Sequence, residues 1–385
     1  MRSAARRRRH LVQELLREDA VRDPLWIEAF RHVPRHVFLP RFFVPHGNRW
    51  AAVARGDANW LPLVYSDTVL VTQLDDDPGL WERARREGPV PGTPTSSSSM
   101  PGIMALMLEH LQFREGDHVL EIGTGTGYNA ALLCHRLGDA RVSTVDIDPT
   151  LCRQARAALA TIGYHPECEV ADGEKGFPPS APYDRVLSTC SVSHLPPAWL
   201  EQTRPGGLVL TTLNRPIGAG MVLVAAGEGA TGEGVVLATD GRFMPMRAHR
   251  RADTVTLLAG SDGPGDDVTA RPTDLPLETV LNPAHAFEFF VSLELPGLMA
   301  AAHPQTGELS LLVHPDGSWA GHHGTDGGHV VQQGGPRKLW DAVEAAYRRW
   351  HELGSPPRDA FTVSVRGERQ SIRFAGHEWP LHRED

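Results

Sequence analysis

The sequence predicts an α/β fold: a doubly wound sheet with a helical N-terminal segment before it and a smaller α+β domain after it. Short apolar strands alternate with helical stretches from about His118 to Ala225, the pattern of parallel strands joined by crossover helices. A turn with a glycine at every second position, Gly123-Thr124-Gly125-Thr126-Gly127, follows the first of these strands. The chain has 385 residues, more than one compact domain usually holds, and its pattern changes after about Arg247.

Composition narrows the function classes. Hydrophobic residues make up 41% and charged residues 22%, a soluble globular balance. No run of about 18 apolar residues occurs, so no membrane span is expected. Arg6-Arg7-Arg8-Arg9 open the chain without the apolar core of a secretory signal and are expected to form a solvated, frayed tip. The net charge is −9 and no basic domain stands out, which argues against nucleic acid as the partner. Cys134, Cys152, Cys168 and Cys190 form no Cys-x-x-Cys pair, so reduced packing cysteines and a cytoplasmic setting are expected.

In chain order, Leu11, Leu15, Leu16, Trp26, Ile27 and Phe30 recur at helical spacing, and helix with turn is expected from Leu11 to Phe43. Arg86 to Pro101 is rich in Gly, Pro, Ser and Thr and is expected to be loop. A buried helix is expected from Gly102 to about Leu111, its apolar residues running nearly all round. The strands expected next are His118–Ile122, Val142–Asp146, Glu167–Val170 and Tyr183–Thr189. Helices are expected at Tyr128–Arg136 and Leu151–Thr161, with a short helix from Trp199 stopped by Pro205-Gly206-Gly207. Late strands are expected at Leu208–Leu213, Gly220–Ala225 and Leu309–Val313, and an amphipathic helix at Arg337–His351. The expected domains are residues 1–250, catalytic, and 251–385, an accessory α+β domain suited to peptide-substrate recognition.

The chemistry lies in the glycine turn and the acids around it. Glycine lets a backbone turn sharply and lets a ligand lie against it. Glu121 stands two residues before Gly123, and Asp146 ends the second strand about 20 residues further on, where a ribose-binding acid belongs. Ile147 follows it, and Asp172-Gly173 ends the third strand, at the place of an adenine contact. The string is Gly-x-Gly-x-Gly rather than the dinucleotide spacing. It suits S-adenosylmethionine (SAM), which has no phosphate to cradle. Glu121, Gly123, Thr124, Gly125, Gly127, Tyr128, Asp146, Ile147, Asp172 and Gly173 are therefore the expected cofactor-binding residues of a Rossmann-like, SAM-dependent methyltransferase fold.

Val119 to Tyr128 resembles the SAM-binding motif of protein-L-isoaspartate O-methyltransferases. Val33-Pro34-Arg35-His36-Val37-Phe38-Leu39-Pro40 resembles that family's N-terminal signature, and Ser99-Met100-Pro101 resembles its Ser-x-Pro. Ala181 to Val186, Gly206-Gly207 and Arg242-Phe243-Met244-Pro245-Met246 fit in order, so the likeness runs from about residue 11 to 247. Three departures stand out. Ser97-Ser98-Ser99 replaces the family's Thr-Ile-Ser, Asp75 to Pro94 is longer than its usual turn, and the C-terminal part is an addition to the ordinary repair enzyme. Extended forms with a Ser-rich Ser-Met-Pro string resemble methyltransferases of actinobacterial peptide-maturation clusters, which act on lanthipeptides or ATP-grasp-crosslinked peptides. The resemblance implies a methyl ester on an Asp side chain of a ribosomally made precursor peptide, followed by closure to an aspartimide. The alternative is repair of L-isoaspartyl residues in damaged proteins.

A carboxylate, with a reference pKa near 4, is already ionised at neutral pH and needs no general base. Positioning and desolvation remain for the protein to supply. By the resemblance Ser99 orients the incoming carboxylate, with Ser98 and Ser97 beside it. The expected partner is a peptide or protein substrate, with no nucleic acid, membrane or metal; the oligomeric state is left open. His322, His323 and His329 are expected in an exposed Gly/His loop, since no second ligand pair accompanies them.

Overall fold

The computed structural model describes residues 2–250, 268–302, 309–325 and 328–381. The expected start of the accessory domain, residue 251, lies outside them. The chain gathers into two compact units. The first comprises Met1–Cys190, Pro196–Thr211 and Leu223–Gly232; the second comprises Ser191–Leu195, Thr212–Val222 and Glu233–Asp385.

The first unit opens with α1 (Arg2–Arg17) and α2 (Pro24–His32). The arginine tip is part of α1 rather than frayed: Arg8 Nη1 donates to the His32 carbonyl at 3.0 Å. Asp23 caps α2 by accepting from the Leu25 amide at 2.8 Å, with Pro24 on the first turn. The helical expectation for the stretch to Phe43 is corrected at its end. Arg41–His46 is a strand, β1, hairpinned to β2 (Arg49–Ala54) with Phe43 opposite Ala52. A short apolar run such as Phe42-Phe43-Val44 carries too few residues to show its period. After α3 (Trp60–Val64) come β3 (Leu70–Leu74), α4 (Leu80–Glu87) and β4 (Pro94–Ser98). The antiparallel order is β2-β1-β3-β4. The loop expected from Arg86 to Pro101 is thus corrected at Pro94–Ser98, while most of residues 88–93 and 99–100 are irregular as expected. The serines form a strand because β3 offers its edge to them, Leu70 opposite Ser98 and Val71 opposite Ser97, although nothing in their own composition favours one.

Next comes α5 (Pro101–His110), with Ile103, Met104, Met107 and Leu108 buried as expected. The first unit continues with β5 (Val119–Ile122), α6 (Tyr128–Leu137), β6 (Val142–Asp146), α7 (Pro149–Thr161), β7 (Glu167–Val170) and the start of β8 (Tyr183–Val192). They pair in parallel in the order β7-β6-β5-β8, with Val119 opposite both Val142 and Arg185. The chain winds from β5 out to β7 and returns to the other side of β5. The C-terminal end of β5 is therefore the switch point, where ligands of such sheets bind. α8 (Pro197–Glu201) leads to β9 (Thr203–Leu213), and β10 (Gly220–Ala226) and β11 (Thr231–Val236) follow. The short helix ends at Glu201, ahead of Pro205-Gly206-Gly207, which lies within β9 with Gly206 at φ +81°.

In the second unit, an antiparallel sheet runs β12-β16-β15-β14-β13. Its strands are β12 (Thr269–Thr273), β13 (Met299–Ala302), β14 (Leu309–Val313), β15 (Trp319–Thr325) and β16 (Gly328–Gly334). The expected amphipathic helix is present as Leu339–Glu352, with Leu339, Trp340, Val343 and Ala346 buried. A meander of β17 (Thr362–Arg366), β18 (Arg369–Phe374) and β19 (His377–Leu381) completes it, beside a core of Phe289, Phe290 and Phe361. The histidines are not in an exposed loop. They belong to the β15–β16 hairpin, where His322 is buried against Trp340 and His329, with ring centroids 4.9 and 4.8 Å away.

Candidate active site

The glycine turn leaves the end of β5 with φ of +95° at Gly123, +51° at Gly125 and +84° at Gly127. These are left-handed conformations that glycine reaches without strain. Space matters as well: a Cβ on Gly123 would stand 2.6 Å from Thr189 Oγ1 and 2.7 Å from Cys190 Sγ. Asp146, at the end of β6, holds the turn open. Its Oδ2 accepts from the Gly125 amide at 2.9 Å and its Oδ1 from the Asp148 amide at 3.0 Å. An ionised carboxylate is an acceptor, the chemistry that a ribose hydroxyl meets as donor.

Beneath the turn, Glu121 is fully buried. It accepts from Asn129 Nδ2 and Thr144 Oγ1, both at 2.7 Å, and Thr144 is in turn bonded to Thr124 at 2.7 Å. Burial lifts its carboxyl to about 7, against the pull of these two hydrogen bonds. Asn129 Oδ1 is buried without a hydrogen-bond partner.

The opposite wall is the serine strand. Arg35, itself fully buried, reaches it from the Val-Pro-Arg segment. Its Nη1 donates to the Val64 and Ser66 carbonyls at 3.1 and 3.0 Å. Its Nη2 donates to the Thr68 and Ser99 carbonyls at 3.2 and 3.0 Å and to Ser98 Oγ at 3.4 Å. Burial lowers its pKa to about 10, which still leaves the guanidinium charged at neutral pH. Asp67 Oδ1 accepts from the Gly102 amide at 2.7 Å, fixing the start of α5 just after Ser99-Met100-Pro101. The two walls approach closely: a Cβ on Gly125 would lie 3.4 Å from the Ser97 carbonyl oxygen.

Between the walls is a narrow cavity of about 30 Å³. It brings together Ser97, Ser98, Ser99, Glu121, Gly123, Thr124, Gly125 and Tyr128 of the expected residues. Gly127 adjoins it as the residue before α6. Asp146 joins it through Gly125. Asp172, Gly173 and Ile147 do not line it. Asp172 caps a short turn by accepting from the Glu174 amide at 3.1 Å, the Gly173 carbonyl accepts from Trp199 Nε1 at 2.7 Å, and Ile147 is 43% exposed. Sequence reasoning missed Met104, Thr126, Asn129 and Thr189, which also line the cavity, and the grip of Arg35. Asn129 lies eight residues after Glu121, on the first turn of α6, so its place was open to inference. Among the described residues no group of three His, Cys, Asp or Glu side chains is arranged to hold a metal ion, and no helix is long and apolar enough to cross a membrane.

These residues fit SAM. The turn accepts no side chain, and Asp146 faces it. The unpartnered Asn129 oxygen beside Glu121 suits an ammonium group. The fold and the site are those of a SAM-dependent methyltransferase.

Comparison with known proteins takes this further. The family model described as Protein-L-isoaspartate(D-aspartate) O-methyltransferase matches residues 83–232. The protein-L-isoaspartate O-methyltransferase of Thermococcus onnurineus is 36% identical over 203 residues, 52% of this chain and 75% of its own. That of Ignicoccus hospitalis is 30% identical over 206 residues, 53% and 80%. A solved structure titled protein-L-isoaspartate O-methyltransferase is 22% identical, with a TM-score of 0.53, covering 96% of this chain and 99% of its own. The chain belongs to the protein-L-isoaspartate O-methyltransferase family and is a SAM-dependent protein carboxyl O-methyltransferase. The likeness to that solved structure extends over the C-terminal part of this chain and is one of fold.

Proposed function

We propose that the acceptor is an Asp side chain of a ribosomally made precursor peptide, and that the methyl ester then closes to an aspartimide. The observation that carries this reading is a groove of about 680 Å³ that meets the site at Gly125 and Thr126. Asp77, Pro78 and Trp81 on its wall come from the stretch Asp75 to Pro94, which by the resemblance exceeds the family's usual turn. A repair enzyme meets isoaspartate in unrelated surroundings and has little use for a groove that reads flanking residues. An enzyme with one encoded substrate gains specificity from it.

Bound SAM supplies an electrophilic methyl group, whose bond electrons stay on sulfur when the methyl leaves. The protein's part is to hold and to aim. Glu121 and Asn129 take the amino-acid end, Asp146 the ribose, and Ile147 with Asp172 and Gly173 the adenine side. Ser99 and Ser97 donate hydrogen bonds that point one oxygen of the ionised acceptor across the cavity. Ser98 is engaged by Arg35 and serves to fix the strand. No residue needs to remove a proton in this step. In the later closure, the amide nitrogen of the residue after Asp forms a bond to the ester carbonyl carbon. Methanol leaves, taking up the amide proton.

The second reading is an L-isoaspartyl acceptor, which the names of all the relatives above favour. The purified chain, given SAM and matched peptides carrying Asp or isoaspartate at one position, separates the two. Faster esterification of the Asp form of the encoded peptide, followed by loss of methanol, is expected. Turnover confined to isoaspartate overturns the proposal.

A further inference from the structure

The groove itself has a chemistry. It runs between α7 and the β1–β3 sheet, wholly within the first unit. Its volume of about 680 Å³ falls in the range of roughly 300–1,000 Å³ usual for ligand pockets. The α7 side is built from Thr150, Leu151, Gln154, Ala157, Ala158 and Thr161. The other side carries Arg41 and Arg55. Each guanidinium lies over an indole, Arg41 over Trp81 at 4.9 Å and Arg55 over Trp60 at 5.4 Å. Stacking of this kind holds the plane and leaves edge N–H groups for acceptors. Two acids answer them. Glu82 pairs with Arg41 at 2.8 Å but is 62% exposed, and Asp77 accepts from the Gly79 amide at 2.7 Å. A third basic group, Arg8, stands near the same end. The imidazole of His36 on the groove wall is held below its usual pKa, first by burial and then by the charges of Arg55 and Arg8. The groove is thus locally basic on a chain whose net charge is −9.

We infer that this groove binds an extended acidic stretch of the acceptor peptide, beside the residue that is methylated. The inference rests on the reading of an encoded peptide substrate. Gly125 and Thr126 border both the groove and the reaction cavity, so a peptide with its carboxylate among the serines can continue directly into the groove. Carboxylates there meet the Arg41 and Arg55 edges, an attraction that selects among peptides and weakens with salt.

The test uses the full chain, SAM and three peptides sharing one acceptor residue: a five-residue core, the core with an acidic flank, and the core with the same flank neutralised to Asn and Gln. Wild type is expected to show a KM about tenfold lower for the acidic flank than for the neutral one, at similar kcat, a gap of about 1.4 kcal/mol. In Arg41→Glu with Arg55→Glu that ratio is expected to fall to about one. The milder Arg41→Gln with Arg55→Gln serves if charge reversal prevents folding, as thermal denaturation will show. Equal KM values for the two flanks in wild type overturn the inference, as does a ratio that survives the variants. Failure of the proposed acceptor looks different: the Asp peptides are not methylated while their isoaspartyl counterparts are. The same flank comparison on the isoaspartyl set then decides the groove independently.

Discussion

The two walls of the reaction cavity are made in opposite ways. The glycine turn is local: five consecutive residues, three with left-handed backbone, held by Asp146 and by the carbonyl of Val145 from the neighbouring strand. The serine strand is the reverse. It has little propensity of its own and is held in register by β3 and gripped by Arg35, over 60 residues earlier in the chain. The turn is a backbone solution to the problem of close approach; the strand is a side-chain and hydrogen-bond solution to the problem of aim. Changes to the first wall should therefore abolish cofactor binding. Changes to the second should spare binding and cost rate.

The largest effect tests the first wall. Gly123→Ala places a methyl group against Thr189 and Cys190 at a φ of +95°, and SAM affinity by calorimetry is expected to drop on the order of 1,000-fold. A variant that binds normally would show that the turn is not the cofactor's bed. Arg35→Ala breaks the second wall. It strips the donors from the Val64, Ser66, Thr68 and Ser99 carbonyls. Urea denaturation is expected to show a loss of about 3 kcal/mol, with kcat falling more than SAM affinity. An equal fall in both would erase the distinction between the walls.

Glu121→Gln probes the support of the turn through pH. The folded carboxyl titrates near 7 because it is buried, against an ordinary value of 4.5. As pH rises between those values, the unfolded chain gives up its proton first, so wild-type stability declines across that window and levels off above it. At pH 8 the variant is expected to be more stable than wild type by about 2 kcal/mol, and at pH 4.5 the two should be alike. A difference independent of pH would mean that the carboxyl is ionised throughout. The smallest effect separates the serines. Ser99→Ala is expected to lower kcat about tenfold with SAM affinity intact, whereas Ser98→Ala, whose hydroxyl is only 3.4 Å from Arg35 Nη2, should cost less than about threefold. The opposite ranking would reassign the aiming hydroxyl.

Legibility followed the same division. Strands β5, β6 and β7 and helix α6 begin and end within a residue or two of expectation, because buried parallel strands and Gly-flanked helices carry their own punctuation. The β1–β2 hairpin and β4 were misjudged, since a three-residue apolar run and a row of serines have no period to read. The histidines His322 and His329 looked like loop because glycines surround them, yet strand pairing puts Gly321 opposite Gln332 and His322 opposite Val331, and burial of His322 follows from that register.

By itself the sequence determined the parallel sheet, the turn at its switch point and the acids Glu121 and Asp146. Each depends on neighbours a few residues away or on a strand end that ligand-binding sheets always present. Only the tertiary structure decided that three serines become a wall, that Arg35 is its clamp, that Asn129 keeps an unpartnered oxygen, and that a basic groove continues from the cavity. Those features arise where distant segments meet. The partner that satisfies a buried carbonyl or fills a strand edge is chosen by the folded whole, and no local pattern announces it.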